Sequence, residues 1–167
     1  MDTIETKRLI LRPFSMQDWP DMLELAIDWS HAPGPGFDKW PTAEEEIKSL
    51  TEYFSNDGRY FAVVLKVTKR VIGLLALNGI DDKQQMDLGH VILTQFQDNE
   101  HDREALEAMV NEIFKEEGVK SIVTRNAPEH TAQLAPLKAL GFEPVSAKQK
   151  GELVLARAEW QSKRGYT

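Results

Sequence analysis

The sequence predicts an α+β (α/β mixed-sheet) domain, and three observations carry that prediction. Apolar alternation and 3.6-residue spacing succeed one another in the order β, α, α, β, β, β, α, β, α, β, β. Three consecutive strand-like runs are joined by turns of a few residues, which makes an antiparallel meander. With 167 residues, 41% of them hydrophobic, the chain fills one core without a disulfide or metal staple.

The elements follow in order. Ile4 to Phe14 alternates, with Leu9 and Leu11 against Arg8 and Arg12, and reads as a strand ending at Pro13. Ser15 with Asp18 caps a first helix carried by Trp19, Met22, Leu23 and Ala26. The Pro/Gly cluster within 28–40 is loop. Thr42 and Glu45 form a capping box for a second helix, whose buried stripe is Ile47, Leu50 and Phe54. The meander runs through 60–67, 71–80 and 86–93. From Ala105 the period becomes helical, with Leu106, Met109, Val110, Ile113 and Phe114 on one face and Gly118 past the end. A short strand at 121–124 precedes a helix at 131–140 stopped by Gly141. Pro136 removes an N–H and opposes the carbonyl of Ala132, so that helix is short or kinked. Strands at 142–147 and 152–160 close the chain as a hairpin.

Composition excludes several functions. The formal net charge of −7 argues against a general electrostatic grip on nucleic acid or anionic membrane. The absence of cysteine excludes a thiol nucleophile and any Cys-ligated metal. The apolar run 71–77 is too short to span a bilayer, and the N-terminus lacks the pattern of a signal peptide. The expectation is a cytoplasmic protein. Adjacent Glu100, His101 and Asp102 lack the helical spacing of a metal site.

Residues 87–106, Asp-Leu-Gly-His-Val-Ile-Leu-Thr-Gln-Phe-Gln-Asp-Asn-Glu-His-Asp-Arg-Glu-Ala-Leu, resemble the central motif of the GNAT N-acetyltransferase family, in its ribosomal-protein acetyltransferase-like branch. That pattern is a Glu-Ile-Gly-Tyr-like strand, a Gln/Arg-x-x-Gly-x-Gly/Ala loop and a helix opening with Glu-Ala-Leu. Glu5-Thr6-Lys7-Arg8-Leu9-Ile10-Leu11-Arg12-Pro13 and Leu137-Lys138-Ala139-Leu140-Gly141-Phe142-Glu143 resemble its first strand and its late helix end.

The resemblance implies a single domain over 1–160, with a central twisted, mostly antiparallel sheet flanked by about four helices, and a C-terminal tail over 161–167. It implies acetyl transfer from acetyl-CoA to a primary amine, either a small molecule or a protein N-terminus. The strand from Gly89 to Leu93 would splay from its neighbour, and N–H groups near Ile92, Leu93 and Thr94 would hold pantetheine. Gln97, Asp98, Asn99, Glu100, His101, Asp102 and Arg103 would surround the pyrophosphate at a helix N-terminus, where backbone N–H groups and the dipole favour an anion. The family's Asn-x-x-Ser falls on His130 and Gln133. Trp29, His31, Phe37, Asp38 and Trp40 lie where the acceptor side is built; aromatics packing a loop onto the core read equally well.

Candidate catalytic groups are His90, Asp87 and His130. Each has a plainer reading, as a satisfied strand histidine, a solvated carboxylate and a helix cap. Alternation puts Asp87, Gly89 and Val91 on one face, and Leu88, His90 and Ile92 on the other. Asp98 and Glu100 stand where the loop pattern has glycines. The segment from Asp98 to Glu104 holds four acids and one Arg, adding negative charge beside a negative ligand. An alternative function follows: a non-catalytic protein of the same fold, a binding module that no longer takes CoA normally.

Overall fold

A computed structural model of the chain describes residues 3–33 and 40–164. Among the described residues, eight strands form one mixed sheet: β1 (Ile4–Glu5), β2 (Leu9–Pro13), β3 (Tyr60–Leu65), β4 (Val71–Ile80), β5 (Gln85–Ile92), β6 (Ser121–Arg125), β7 (Glu143–Ser146) and β8 (Gln149–Ala156). Their spatial order is β1-β2-β3-β4-β5-β6-β8-β7, and every neighbouring pair is antiparallel except β5 with β6. Among the same described residues, five α-helices flank the sheet: α1 (Trp19–Trp29), α2 (Glu44–Asn56), α3 (His101–Ile113), α4 (Thr131–Ala139) and α5 (Arg157–Lys163).

The meander is β3–β4–β5, joined by tight turns. Lys69 and Gln84 take the left-handed conformation in these turns, at φ 63° and 60°. α1 packs on α2 and β4, while α3 packs on α4, β2 and β5. Leu106, Met109, Val110 and Ile113 of α3 are all buried in the core, as their spacing requires. None of the helices described is long and apolar enough to cross a membrane.

Four local expectations need correction. The first strand breaks into β1 and β2, because the Thr6 hydroxyl accepts the Leu9 N–H while the Thr6 N–H donates to the Leu9 carbonyl. Thr42 does not cap α2: Ala43 is the N-cap without a side-chain bond, and Glu44, Glu45 and Glu46 complement the helix dipole instead. Ser15 and Asp18 do form a capping box, but on a 3₁₀ turn (Met16–Asp18) that leads into α1. The last strand ends at Ala156, and helix α5 continues to Lys163, past the expected boundary at 160. Trp160 drives that turn: it is buried, and its indole N–H donates to Asn111 Oδ1 at 2.9 Å. α4 runs nine residues with Pro136 inside it, and Gly141 beyond it has φ 106°.

Candidate active site

β5 and β6 pair only from Gln85–Ser121 to Asp87–Val123, and then diverge. A cavity of about 460 Å³ lies at this splay, bordered by Gly89, His90 and Val91 of β5 and by Asn126, Ala127 and His130 beyond β6. Gly89 faces Ala76 and Val91 faces Leu74 across the β4–β5 ladder, so one sheet face lines the cavity. Trp29 ends α1, Tyr53 and Phe54 belong to α2, and Tyr60 opens β3; with Trp40 they give the cavity an aromatic side. A second space of about 240 Å³ adjoins it, sharing Trp29, Ala32, Pro33 and His130 and reaching His31, Thr94 and Gln97.

The three candidate catalytic residues have different surroundings. His90 is 5% exposed, and neither ring nitrogen has a hydrogen-bond partner. Burial, with the neighbouring His130 adding to it, pushes its pKa down to about 4, so the ring is neutral at pH 7. Asp87 does not border the cavity. Its carboxylate takes Arg125 on one oxygen and Asn78 Nδ2 (3.2 Å) on the other, and those partners line the wall in its place. His130 stands at the N-cap of α4 without a side-chain cap bond; its ring packs 5.7 Å from that of Trp29. His130 is thus the helix cap by position, while its ring makes no capping bond.

The residues expected to meet a cofactor are engaged within the chain. Leu93 N–H donates to the Ile72 carbonyl (2.9 Å), and Thr94 N–H to Asp28 Oδ2 (2.9 Å), so neither is the free donor expected there. On the diverging edge, Gln133 Nε2 donates to the His90 carbonyl at 2.7 Å, and Gln97 Nε2 to the Ile92 carbonyl at 2.9 Å.

In the loop, the two positions matched to glycine do not use glycine's freedom. The left-handed residue is Asn99, at φ 59°, whose short amide side chain tolerates it, while Glu100 has φ −124°. Asp98 Oδ1 accepts the N–H groups of Glu100 (3.0 Å) and His101 (2.9 Å), and Oδ2 lies 2.8 Å from His101 Nδ1. Partial burial pushes the Asp98 carboxyl up, but bonds from the His101 N–H and ring and the Glu100 N–H outweigh it and hold the pKa below the ordinary range.

The remaining acids of the loop are placed individually. Glu104 is bound by Thr6 Oγ1, Arg8 N–H (2.8 Å) and Arg8 Nε (2.8 Å); Glu100 lies 3.5 Å from the same guanidinium. Asp102 is 1% exposed, and its Oδ2 has no partner. Burial foremost, with the charge of Asp98, raises its pKa. Arg103 is exposed.

An acetyl-CoA fits this chain in part. The splay and its cavity accommodate an acyl end beside an acceptor. The pyrophosphate end does not fit as the chain stands, because the first amides of α3 already hold the Asp98 carboxylate. Of the acceptor-side candidates, Trp29 and Trp40 border the larger cavity and His31 the smaller one. Phe37 and Asp38 lie outside the described residues. Asp28, Asn78, Arg125 and Tyr60 went unseen in the sequence, since each reaches the site through sheet register or helix packing and not through a motif.

Comparison with known proteins agrees with this architecture. The family model described as acetyltransferase (GNAT) domain matches residues 8–143. The chain is 25% identical over 143 residues to a Bacillus subtilis protein named uncharacterized N-acetyltransferase YnaD, a match covering 83% of this chain and 81% of that protein. Among solved structures, a GNAT-family acetyltransferase from Bacillus anthracis superposes with TM-score 0.75 at 18% identity, covering 92% of this chain and 98% of that one. The ribosomal-protein-S5-alanine acetyltransferase from Vibrio fischeri superposes with TM-score 0.73 at 16% identity, covering 96% and 99%. At these identities, the two structures speak for the fold.

Proposed function

The chain belongs to the acetyltransferase (GNAT) domain family, and on that premise we propose that it is an N-acetyltransferase of low donor affinity, acting on a primary amine. The observation that carries the reading is the cavity at the β5–β6 splay, with a buried neutral His90 on its border. Acetyl-CoA, the family's donor, supplies the acyl group when bound. The chain's own contribution is positional. Aromatic side chains exclude water, and Gln133 fixes the β5 backbone at His90. Low donor affinity follows from Asp98, which a pyrophosphate has to displace from the α3 amides.

A second reading, a binding module without transfer, is supported by a separate observation. Asp28, Gln97, Asp98 and Gln133 together satisfy a row of backbone groups along the whole donor groove. Calorimetric titration with CoA, run beside a thiol-release assay with acetyl-CoA and a panel of amines, separates the two. Weak saturable CoA binding with amine-dependent thiol release is the expected result. No heat at millimolar CoA and no release sinks the enzyme reading and leaves the binding module.

A further inference from the structure

Five asparagines occur in the chain, and Asn78 is the one followed by glycine. That order matters chemically. The backbone nitrogen of the residue after an asparagine can attack the side-chain amide carbon, and a side chain on that next residue shields the nitrogen. Glycine has none, and it turns freely into the geometry of attack.

The fold leaves this pair open to the reaction. Asn78 and Gly79 lie at the outer end of β4, where the buried part of the strand gives way to solvent. The ladder with β5 carries a bulge there: Leu77 pairs with Leu88 and Gly79 with Asp87, so Asn78 is the extra residue. A bulge disrupts the ladder locally and leaves its extra residue unpaired. Gly79 has φ 132°, and nothing stands within 4 Å of the place a Cβ would take. The reacting amide is itself oriented. Asn78 Nδ2 donates to Asp87 Oδ1 at 3.2 Å, while Arg125 pairs with Oδ2 of the same carboxylate.

The other four asparagines are restrained. Asn111 sits inside α3 with its Oδ1 on the Trp160 indole N–H. Asn126 Nδ2 donates to Thr124 Oγ1 and to the Gly151 carbonyl, both at 3.1 Å. Asn56 and Asn99 precede Asp57 and Glu100, whose side chains shield the nitrogen and whose charge opposes loss of its proton.

We propose that Asn78 is a self-modification site whose product changes the charge on the border of the cavity. Hydroxide removes the Gly79 N–H proton, and the nitrogen bonds to Asn78 Cγ. The Cγ–Nδ2 bond then breaks, and ammonia leaves with a proton taken from water, which returns the hydroxide. Water adds across either carbonyl of the resulting succinimide and opens it to aspartate or isoaspartate at position 78. Nothing is oxidised or reduced, and no acyl donor or amine takes part, so the step is independent of acetyl transfer. Asn78 and Arg125 both border the cavity. An amide donor there becomes a carboxylate beside that of Asp87, and the two compete for one guanidinium.

The full chain is incubated at mildly alkaline and at mildly acidic pH, and its peptides are followed by mass spectrometry with an enzymatic assay for isoaspartate. Asn78 is expected to lose its amide at least tenfold faster than any other asparagine, and faster in alkali. Isoaspartate is expected in that peptide, and Asn78→Gln is expected to abolish it there. The folded chain is expected to react within a hundredfold of the rate in urea, because an unbroken ladder would hold the nitrogen far more tightly. Faster loss at another asparagine, or a folded chain more than a hundredfold slower than in urea, overturns the site. Asn78→Asp copies one product: its melting temperature is expected a few degrees below that of the wild type at low salt, and closer to it at high salt. An unchanged melt overturns the effect on the cavity border and leaves the site standing.

Discussion

Replacing Asp98 by Ala removes a carboxylate that holds the N–H groups of Glu100 and His101 at the start of α3, and a histidine ring. Loss of an acid capping a helix start costs about 0.5–2 kcal/mol, which for a domain of this size lowers the melting temperature by about 1–8 °C. The sign of the pH dependence sets the conditions. A carboxylate whose folded pKa is depressed contributes fully above its unfolded pKa, and the contribution is lost as pH falls through the folded value. At pH 7 the whole effect is present. The same amides are then open to a pyrophosphate, and CoA no longer spends about 1–2 kcal/mol on displacement, so its affinity rises by roughly 5–30-fold. Thermal melts and calorimetry with CoA on the wild type, Asp98→Asn and Asp98→Ala measure both quantities. Lower stability with tighter CoA binding is the expected pair. Lower stability with CoA affinity unchanged or reduced would show that Asp98 is only a helix cap, and would refute the competition argument.

Three further outcomes are expected. His90, buried and held at a pKa of about 4, makes the fold acid-sensitive: stability is full above pH 6.5 and falls as the unfolded histidine takes up a proton. The loss between pH 7.5 and 5 is about 2 kcal/mol by urea denaturation, and His90→Leu flattens it; an equal slope in that variant counts against the assignment. Gly151→Ala puts a Cβ 1.9 Å from the Asn126 carbonyl oxygen, a backbone clash expected to cost roughly 1–3 kcal/mol or more in the same assay. Arg157 donates to the carbonyls of Val119, Phe114 and Glu116 behind α3; Arg157→Ala is expected to lose about 2 kcal/mol, with CoA and amine binding unmoved.

Alternation and helical spacing are local signals, and elements that obey them stand where the residues place them. Leu106, Met109, Val110 and Ile113 are buried on α3, and the β3–β4–β5 meander pairs antiparallel. What the sequence concealed depends on partners distant along the chain. Trp160 reads as a strand residue until Asn111, on another element, takes its N–H. Thr6 reads as one more alternating position until its hydroxyl meets Leu9 and Glu104. Asp87 and Arg125 are 38 residues apart and meet only because β5 and β6 run parallel at that register. The candidate site was legible where it coincides with a motif, at Gly89, His90 and the 97–103 loop. Its aromatic side was half legible, through Trp29 and Trp40, while Tyr53 and Tyr60 arrive from α2 and β3 with no local mark of their purpose.

The net charge of −7 takes on a different meaning once its partners are located. Residues 98–117 carry eight acids and two bases, almost the whole excess. A simple count sets those acids against a pyrophosphate as an opposing field. The structure spends them differently: Glu100 and Glu104 face Arg8, Glu107 faces Arg164, Glu112 faces Lys115, and Asp98 faces the α3 amides. Much of the field is thus compensated at contact distance, and the obstacle to a donor becomes competition for particular N–H groups. The two accounts differ in their salt dependence, because the Debye length shrinks from about 10 Å at 0.1 M to about 3 Å at 1 M. A repulsive field weakens with salt, and CoA would bind more tightly at 1 M. Competition by a hydrogen-bonded carboxylate does not, so wild-type affinity is expected to stay level or fall as salt rises, while the gain from Asp98→Ala persists at both concentrations. Tighter wild-type binding at high salt would return the argument to net charge.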